Sequence, residues 1–440
     1  MQNTSKMLGK IKVKNQQNLF FSFEDTLNAK HPLFILSNEI NWELFETSFS
    51  KLYSPTTGRP AKPIRLLVGL LILKHLRNIS DESVVEQWSE NIYYQYFCGE
   101  KMFVSGYPCA ASDLVHFRNR IGESGVELIL KESIRINGKD GEDEKVSADT
   151  TVQEKNITYP TDSKQHRKII KKCHQITERE GLPSRQNYKR VLKDLSRDQR
   201  FRNNPKNKKK AGKADKKVKT IAGRLVREVS RNLEKKLGRS HPYSESFELY
   251  QKVLSQKRND KNKIYSLHEP ATCCISKGKE NKKYEFGNKA SFLRTDTGVL
   301  VGALGFRNEF DGHTLDAALA QSERLRGKMP TRVKVDRGYR GQKRIGQVEI
   351  LIPNAGKKNQ TYYQKNKIRK EHHKRAAIEP IIGHLKTDHR LGRNFYKGIL
   401  GDNLNILLAA AAFNFKRAMN KWLDSFCAFL CSFIQNTKTA

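Results

Sequence analysis

Between residues 31 and 122 apolar side chains recur at helical spacing. "INWELFETSFSKLY" sets Ile40, Trp42, Phe45, Phe49 and Leu52 mostly three or four apart, which predicts an amphipathic helix. "KPIRLLVGLLILKHL" is apolar almost all round, the pattern of a helix buried on every side. "DESVVEQWSENIYYQYF" reads as one further helix with acids in its first turn, where the helix dipole favours them. "SDLVHFRNRIG" reads as a short helix capped by Ser112, with Arg118 and Arg120 exposed. A helical unit of this kind suits either DNA binding or a plain bundle.

The period then changes. After the acidic loop "DGEDE", Val146, Ala148, Thr150 and Val152 alternate with Ser147, Asp149 and Thr151, which predicts a strand. From about 163 to 262 the helical period returns in strongly basic sequence, with Ile221, Leu225, Val229, Leu233 and Leu237 every four residues. Residues 202–219 hold nine basic positions of eighteen and one acid, and read as a mobile loop able to bind phosphate. Beyond 264, "KIYSLHEPATCCIS", "KYEFGNKASFLRT" and "GVLVGALGFRNEF" predict strands, with "TDTG" as a hairpin turn. "DGHTLDAALAQSERLRG" predicts a helix with Asp311 in its cap region, "RVKVDRGYRG" a strand entering a glycine turn, and "VEILIP" a short strand. "HHKRAAIEPIIGHLK" is helical, but Pro380 disfavours helical geometry at Glu379, so a kink or a restart is expected there.

This order, β-β-β-α-β-β-α, implies an α/β fold: a mixed sheet with flanking helices. The expected organisation is an all-helical N-terminal domain over 1–130 and an α/β domain over 140–420. A basic helical insertion at about 163–262 interrupts the latter, and an apolar helix and tail occupy 421–440. "NILLAAAAFNF" and "WLDSFCAFLCSFI", separated by "KRAMNK", read as two buried helices, each short of the roughly 20 residues that span a bilayer.

Charge narrows the function. The 440 residues carry 83 Lys and Arg against 46 acids, a net +37, spread along the chain rather than confined to one amphipathic helix. That balance predicts a polyanion partner, nucleic acid rather than an anionic membrane. Seven cysteines, odd in number and without a C-x-x-C pair, read as reduced thiols of a cytosolic protein rather than a zinc site or disulfide framework. "MQNTSKMLGKIKVKNQQ" lacks the apolar core of a secretory signal, so a cytoplasmic location is expected.

Three acids stand out by position: Asp149 within the first strand, Asp336 where a strand gives way to "RGYRG", and Glu379 on the late helix. If the two strands are neighbours and the helix crosses their ends, three carboxylates converge. Such a set suits hard divalent cations, which take oxygen ligands, and two such ions can serve in-line phosphoryl displacement. Asp311, Glu154 and Asp162 remain open as alternative ligands.

The spacing Arg375-(3)-Glu379-(6)-Lys386 resembles the Y-(2)-R-(3)-E-(6)-K motif of DDE transposases from bacterial insertion sequences, in the branch of families four and five. "SADTT" and "VDRGYRG" look like that branch's two aspartate motifs. The similarity extends to "PTTGRPAKPIRLLVGLLILKHL", "SLHEP", "KGKENKKYEFGNKAS", "DGHTL" and "RAAIEPIIGHLKTDHRLGRN", over roughly residues 50–420. His372 stands at the motif's tyrosine position.

The resemblance implies a ribonuclease-H-like core in which Asp149, Asp336 and Glu379 are catalytic and bind two Mg2+ ions, with Mn2+ able to substitute. It implies cleavage at the element's ends and transfer of the 3′-hydroxyl to target DNA. The partners it implies are terminal inverted repeats, target DNA and a homodimer or larger assembly, on the bacterial nucleoid and without a membrane. Arg375 and Lys386, with His372 and Arg337, are then candidate DNA contacts; Arg59, Arg118 and Arg120 are candidates in the N-terminal helices. Two rivals are a ribonuclease-H-like nuclease or resolvase without strand transfer, and an inactive DNA-binding relic.

Overall fold

A computed structural model of the protein describes residues 22–238, 240–257, 259–276, 283–307, 309–339, 343–352 and 361–438. Within them it describes all side chains except those of Asp311, Arg337, Lys367, His372 and residues 424–438. The chain divides into two compact units: Met1–Glu154 with Asn288–Ala440, and Lys155–Gly287.

The first unit opens with helices α1 (Phe23–Thr26), α2 (Pro32–Glu39), α3 (Trp42–Ser50), α4 (Ile64–Leu76), α5 (Asp81–Glu90), α6 (Ile92–Phe97) and α7 (Ala111–Ile136). Local chemistry sets their starts. Asn41 accepts a hydrogen bond from the Leu44 N–H, and Ser80 from that of Ser83. α4 is buried from Leu66 to Leu76, as its all-round apolar pattern requires. The run expected as one helix is two, because Asn91 ends α5 and its side chain caps α6 through the Tyr94 N–H. Ser112 is not the cap of α7. The helix begins at Ala111, and the Asp113 carboxylate accepts from the Ala110 N–H instead. α7 also continues well past the short helix expected, across a break at Gly122, whose φ of 61° suits glycine.

Strand β1 (Lys145–Lys155) follows, then the insertion helices α8 (Asp162–Arg179), α9 (Lys189–Gln199), α10 (Pro205–Leu237) and α11 (Ser244–Ser255). Strands β2 (Cys273–Ser276), β3 (Tyr284–Thr295) and β4 (Leu300–Phe306) come next, then helix α12 (Leu315–Arg326). The chain closes with β5 (Arg332–Lys334), β6 (Arg344–Ile345), β7 (Val348–Leu351), α13 (Tyr362–Ala376), α14 (Ile378–Asp388), β8 (Arg393–Asn394) and α15 (Gly398–Lys438). Of the strand expected over 263–276 only β2 forms, and the two-residue strands β6 and β8 were not expected.

In the first unit the sheet runs β4-β3-β1-β5-β7-β6, with β8 also paired to β1. β3 and β4 are antiparallel, joined through the predicted turn, where Gly298 takes φ 107°. β1 and β5 are parallel, aligning Val146 with Val333 and Ser147 with Lys334, and β5 and β7 are parallel as well. The strand is more enclosed than simple alternation implies, since Val146, Ser147, Ala148, Thr151 and Val152 are all buried. Asp149 and Thr150 are the half-exposed break in that run.

The helical domain expected over 1–130 is not a separate compact unit. Leu70, Trp88 and Phe117 share one apolar cluster with Val146, Phe292, Leu319 and Phe415. α15 accounts for this, because it packs along α7, α4, β4 and α2. It also replaces the two helices expected near the C-terminus. "KRAMNK" does not break it, since Lys and Arg propagate helices. Its Arg417 donates to Asn137 and Asp140, and Lys421 to Asp140. Joined, Gly398–Leu423 is long and apolar enough to cross a bilayer, but most of it is buried within the protein.

The second unit has its own core, built from Ile169, Ile170 and Cys173 of α8, Ile221, Leu225, Val229 and Leu233 of α10, and Phe247 and Tyr250 of α11. Each such aliphatic side chain contributes about 1.5–3 kcal/mol on burial. The basic run expected as a mobile loop is instead mostly the first half of α10. Ala211, Ala214 and Val218 extend the buried stripe toward the N-terminus, and the lysines between them are good helix formers. Asn204 caps the helix through the Lys206 N–H, and Pro205 stands at its first position.

Candidate active site

Asp149 lies midway along β1, and Asp336 two residues beyond the end of β5, the parallel neighbour of β1. Each carboxylate is held by a backbone N–H. Asp149 Oδ1 accepts from Thr150 at 2.8 Å, and Asp336 Oδ1 from Gly338 at 2.8 Å, in the turn Arg337–Tyr339. Glu379 is the second residue of α14. The expected restart is found at Ala377, where α13 ends, which leaves Pro380 in the first turn of the new helix. Proline is tolerated there because that N–H has no acceptor within the helix. Residues 372–386 are therefore not one straight helix.

Arg375, in the last turn of α13, spans the gap. Its Nη2 lies 3.8 Å from Asp149 Oδ2 and 3.4 Å from Glu379 Oε1. Burial pushes the Asp149 carboxyl above its ordinary range, and Asp336 and Glu379 push it the same way. The Thr150 N–H and Arg375 oppose them. Arg375 also keeps a buried Nε–H for which no acceptor is present among the described residues.

A second layer holds α13 in place, and sequence reasoning missed it. Lys334 of β5 is 3% exposed; its Nζ lies 2.9 Å from both Asp296 oxygens and 3.2 Å from Glu371 of α13. Lys374 lies 3.7 Å from Asp296. The available signal was a lysine flanked by two valines in "VKV".

The donor set of three carboxylates suits a hard cation in charge and atom type. Among the described residues, however, no three His, Cys, Asp or Glu side chains are grouped closely enough to hold a metal ion. The guanidinium of Arg375 lies between two of the acids.

Of the other expected residues, Lys386 is half-buried on α14, two turns beyond Glu379. The side chains of Arg337 and His372, and of the alternative ligand Asp311, lie outside the described residues. Asp162 belongs to the insertion unit and pairs with Lys263 at 2.8 Å, while Glu154 is the last residue of β1 in the first unit. Arg59 is exposed and, with Lys62, His116 and Arg120, lines a cavity of about 270 Å³. Arg120 lies over the Tyr53 ring at 4.4 Å. Arg118 is not exposed as expected. It is 4% exposed and donates to both oxygens of Asp81, at 2.7 and 2.9 Å.

Comparison with known proteins decides the family. Residues 21–120 match the family described as "Transposase domain (DUF772)", and residues 333–419 match "Transposase DDE domain". The second match contains Asp336, Arg375, Glu379 and Lys386. The chain belongs to the DDE transposases of insertion sequences. The transposase is also 40% identical over 172 residues to "Uncharacterized protein ORF8 in nfe locus" of Rhizobium meliloti, covering 38% of this chain and 83% of that protein. No solved structure matches. Asp149 lies outside both matched ranges, so within this transposase its link to Asp336 and Glu379 is a matter of geometry.

Proposed function

We propose that the protein binds the terminal inverted repeats of its element, cleaves DNA at the element's ends, and joins the freed 3′-hydroxyls to target DNA. The catalytic core is ribonuclease-H-like. The strand order β4-β3-β1-β5-β7 supports this, with an antiparallel hairpin on one side of β1 and parallel strands on the other. Asp149, Asp336 and Glu379 are its catalytic carboxylates.

The observation that carries this reading is the shared cation. Two acids more than two hundred residues apart face one guanidinium, and the negative charge of the third makes the first harder to ionise. Asp149, Asp336 and Glu379 would hold two Mg2+ ions, which Mn2+ could replace. When bound, such ions neutralise the attacking and leaving oxygens of an in-line phosphoryl displacement. The chain's own work is positioning. The Thr150 and Gly338 N–H groups fix the two aspartates, and the Lys334–Asp296–Glu371 cluster fixes α13. The unpaired Nε–H of Arg375 offers a phosphate oxygen a charge-assisted bond. Lys386 and Arg375, with Arg337 and His372, position DNA flanking the cut; Arg59 and Arg120 contact it from the N-terminal helices. The insertion supplies much of the remaining basic surface, and two element ends call for a homodimer or larger assembly on nucleoid DNA.

The test joins oligonucleotides bearing the element's ends to a plasmid in Mg2+, with wild type or Glu379→Gln. Joined products from wild type alone support the reading. Cleavage without joining would favour a nuclease, and binding without chemistry in either protein would favour an inactive relic.

A further inference from the structure

The insertion unit concentrates the charge of the chain. Residues 155–287 carry 37 Lys and Arg against 14 acids, a net +23 out of +37. Within this unit α8 and α11 flank a groove of about 560 Å³. One wall is the outer face of α8, where Lys168, Lys171, Lys172 and Arg179 recur over three turns, about 5.4 Å apart per turn. The other wall and the floor are largely apolar and aromatic, with Leu249, Tyr250, Leu267 and the ring of Tyr243 beside Ser246 and His268. Tyr243 is held in place by its hydroxyl, which donates to Glu180 at 2.6 Å.

A duplex shows a protein surface its phosphates and keeps its bases stacked inside, so it would match the lysines and leave the apolar floor unfilled. An unpaired strand matches both: phosphates lie along α8, while an unstacked base enters the groove and covers Tyr243 and Leu249. A basic track beside aromatic side chains is how single strands are gripped without sequence preference. We propose that the α8–α11 groove is a binding site for unpaired DNA. Its use follows from the reading of the chain as a transposase, since cutting an element end exposes single-stranded DNA; its existence does not depend on that reading.

The experiment measures binding of the full chain to fluorescein-labelled dT12 and to the dT12·dA12 duplex by anisotropy, at fixed salt. Lys171→Glu with Lys172→Glu is compared with Lys131→Glu and Lys139→Glu, an equal charge change on exposed positions of the first unit. The α8 pair is expected to weaken dT12 binding about tenfold and duplex binding much less, with the control pair changing both little. Tyr243→Ala is expected to weaken dT12 binding about tenfold, and Tyr243→Phe to weaken it much less, because the ring that meets the base remains and only its bond to Glu180 is lost. Equal effects of the two charge reversals, equal losses for single strand and duplex, or an unaffected Tyr243→Ala would each overturn the groove. DNA joining is scored in parallel on wild type. Joining with no groove effect removes this site and leaves the transposase reading, whereas a groove effect without joining does the reverse.

Discussion

The side chain of Asn414 in α15 makes both hydrogen bonds of the Leu300 peptide in β4. Its Oδ1 accepts from the Leu300 N–H at 2.9 Å, and its Nδ2 donates to the Leu300 carbonyl at 2.8 Å. Both residues are fully buried. A helix side chain thus serves β4 as a neighbouring strand would. Asn414→Leu keeps the branched outline, adds bulk at a buried site and strands two buried backbone groups, so it is expected to cost about 2–4 kcal/mol, read from chemical denaturation. A change below about 0.5 kcal/mol would mean that Leu300 finds other partners.

Arg118 is expected to act as a structural residue, not as a DNA contact. Besides its two bonds to Asp81 it lies 4.1 Å over the Tyr396 ring. Arg118→Ala should lower stability by about 3–5 kcal/mol, because it leaves a buried carboxylate short of a partner. Duplex affinity per folded molecule should stay near that of wild type. A selective loss of DNA binding with unchanged stability would reverse the assignment.

Lys74 shares Asp81 with Arg118, at 2.8 Å. Burial pulls the Lys74 ammonium down to about 7, with Asp81 opposing and Arg118 adding to the fall. Between pH 7 and the ordinary lysine range the unfolded chain therefore binds more protons than the folded one. Stability from this group rises with pH across that window. Wild type should gain up to about 2 kcal/mol on Lys74→Met between pH 7 and 9, measured by denaturation at each pH. A constant difference between the two proteins would place the titration elsewhere.

Arg375 stands where a divalent ion would compete for Asp149 and Glu379. Arg375→Gln is expected to tighten Mn2+ binding in the absence of DNA by about tenfold, measured by titration calorimetry. DNA joining should fall about a hundredfold, because a charged donor to phosphate is lost. Unchanged ion affinity would show that Arg375 does not guard the carboxylates.

Much of this was legible in the residues. Alternation around Asp149, the turn after Asp336 and the awkward Pro380 marked three acids and the break beside one of them. What brings them together was not legible, because pairing of β1 with β5 depends on register across the whole insertion. Alanine was the second blind spot. Ala211 and Ala214 carry too little side chain to advertise a buried face, so lysine count prevailed and a helix was read as a loop. Arg118 failed for a related reason: a cation on a helix is ordinarily solvated, and its partners lie on α5 and beside β8. Asn414 had a signal that went unused, a lone carboxamide inside "AAAAFNF".

The chain leaves the first unit at Glu154 on β1 and returns at Asn288 on β3, and those two strands are neighbours in the sheet. Their pairing closes a loop of well over a hundred residues, which a featureless chain would bridge slowly. The insertion carries its own apolar core, and its helices are built from contacts close in sequence. If it condenses first, the two strands are delivered side by side and the long loop becomes a short one. The basic insertion would fold early, and Asp149 would come under the influence of Asp336 and Glu379 only when β5 and α14 arrive.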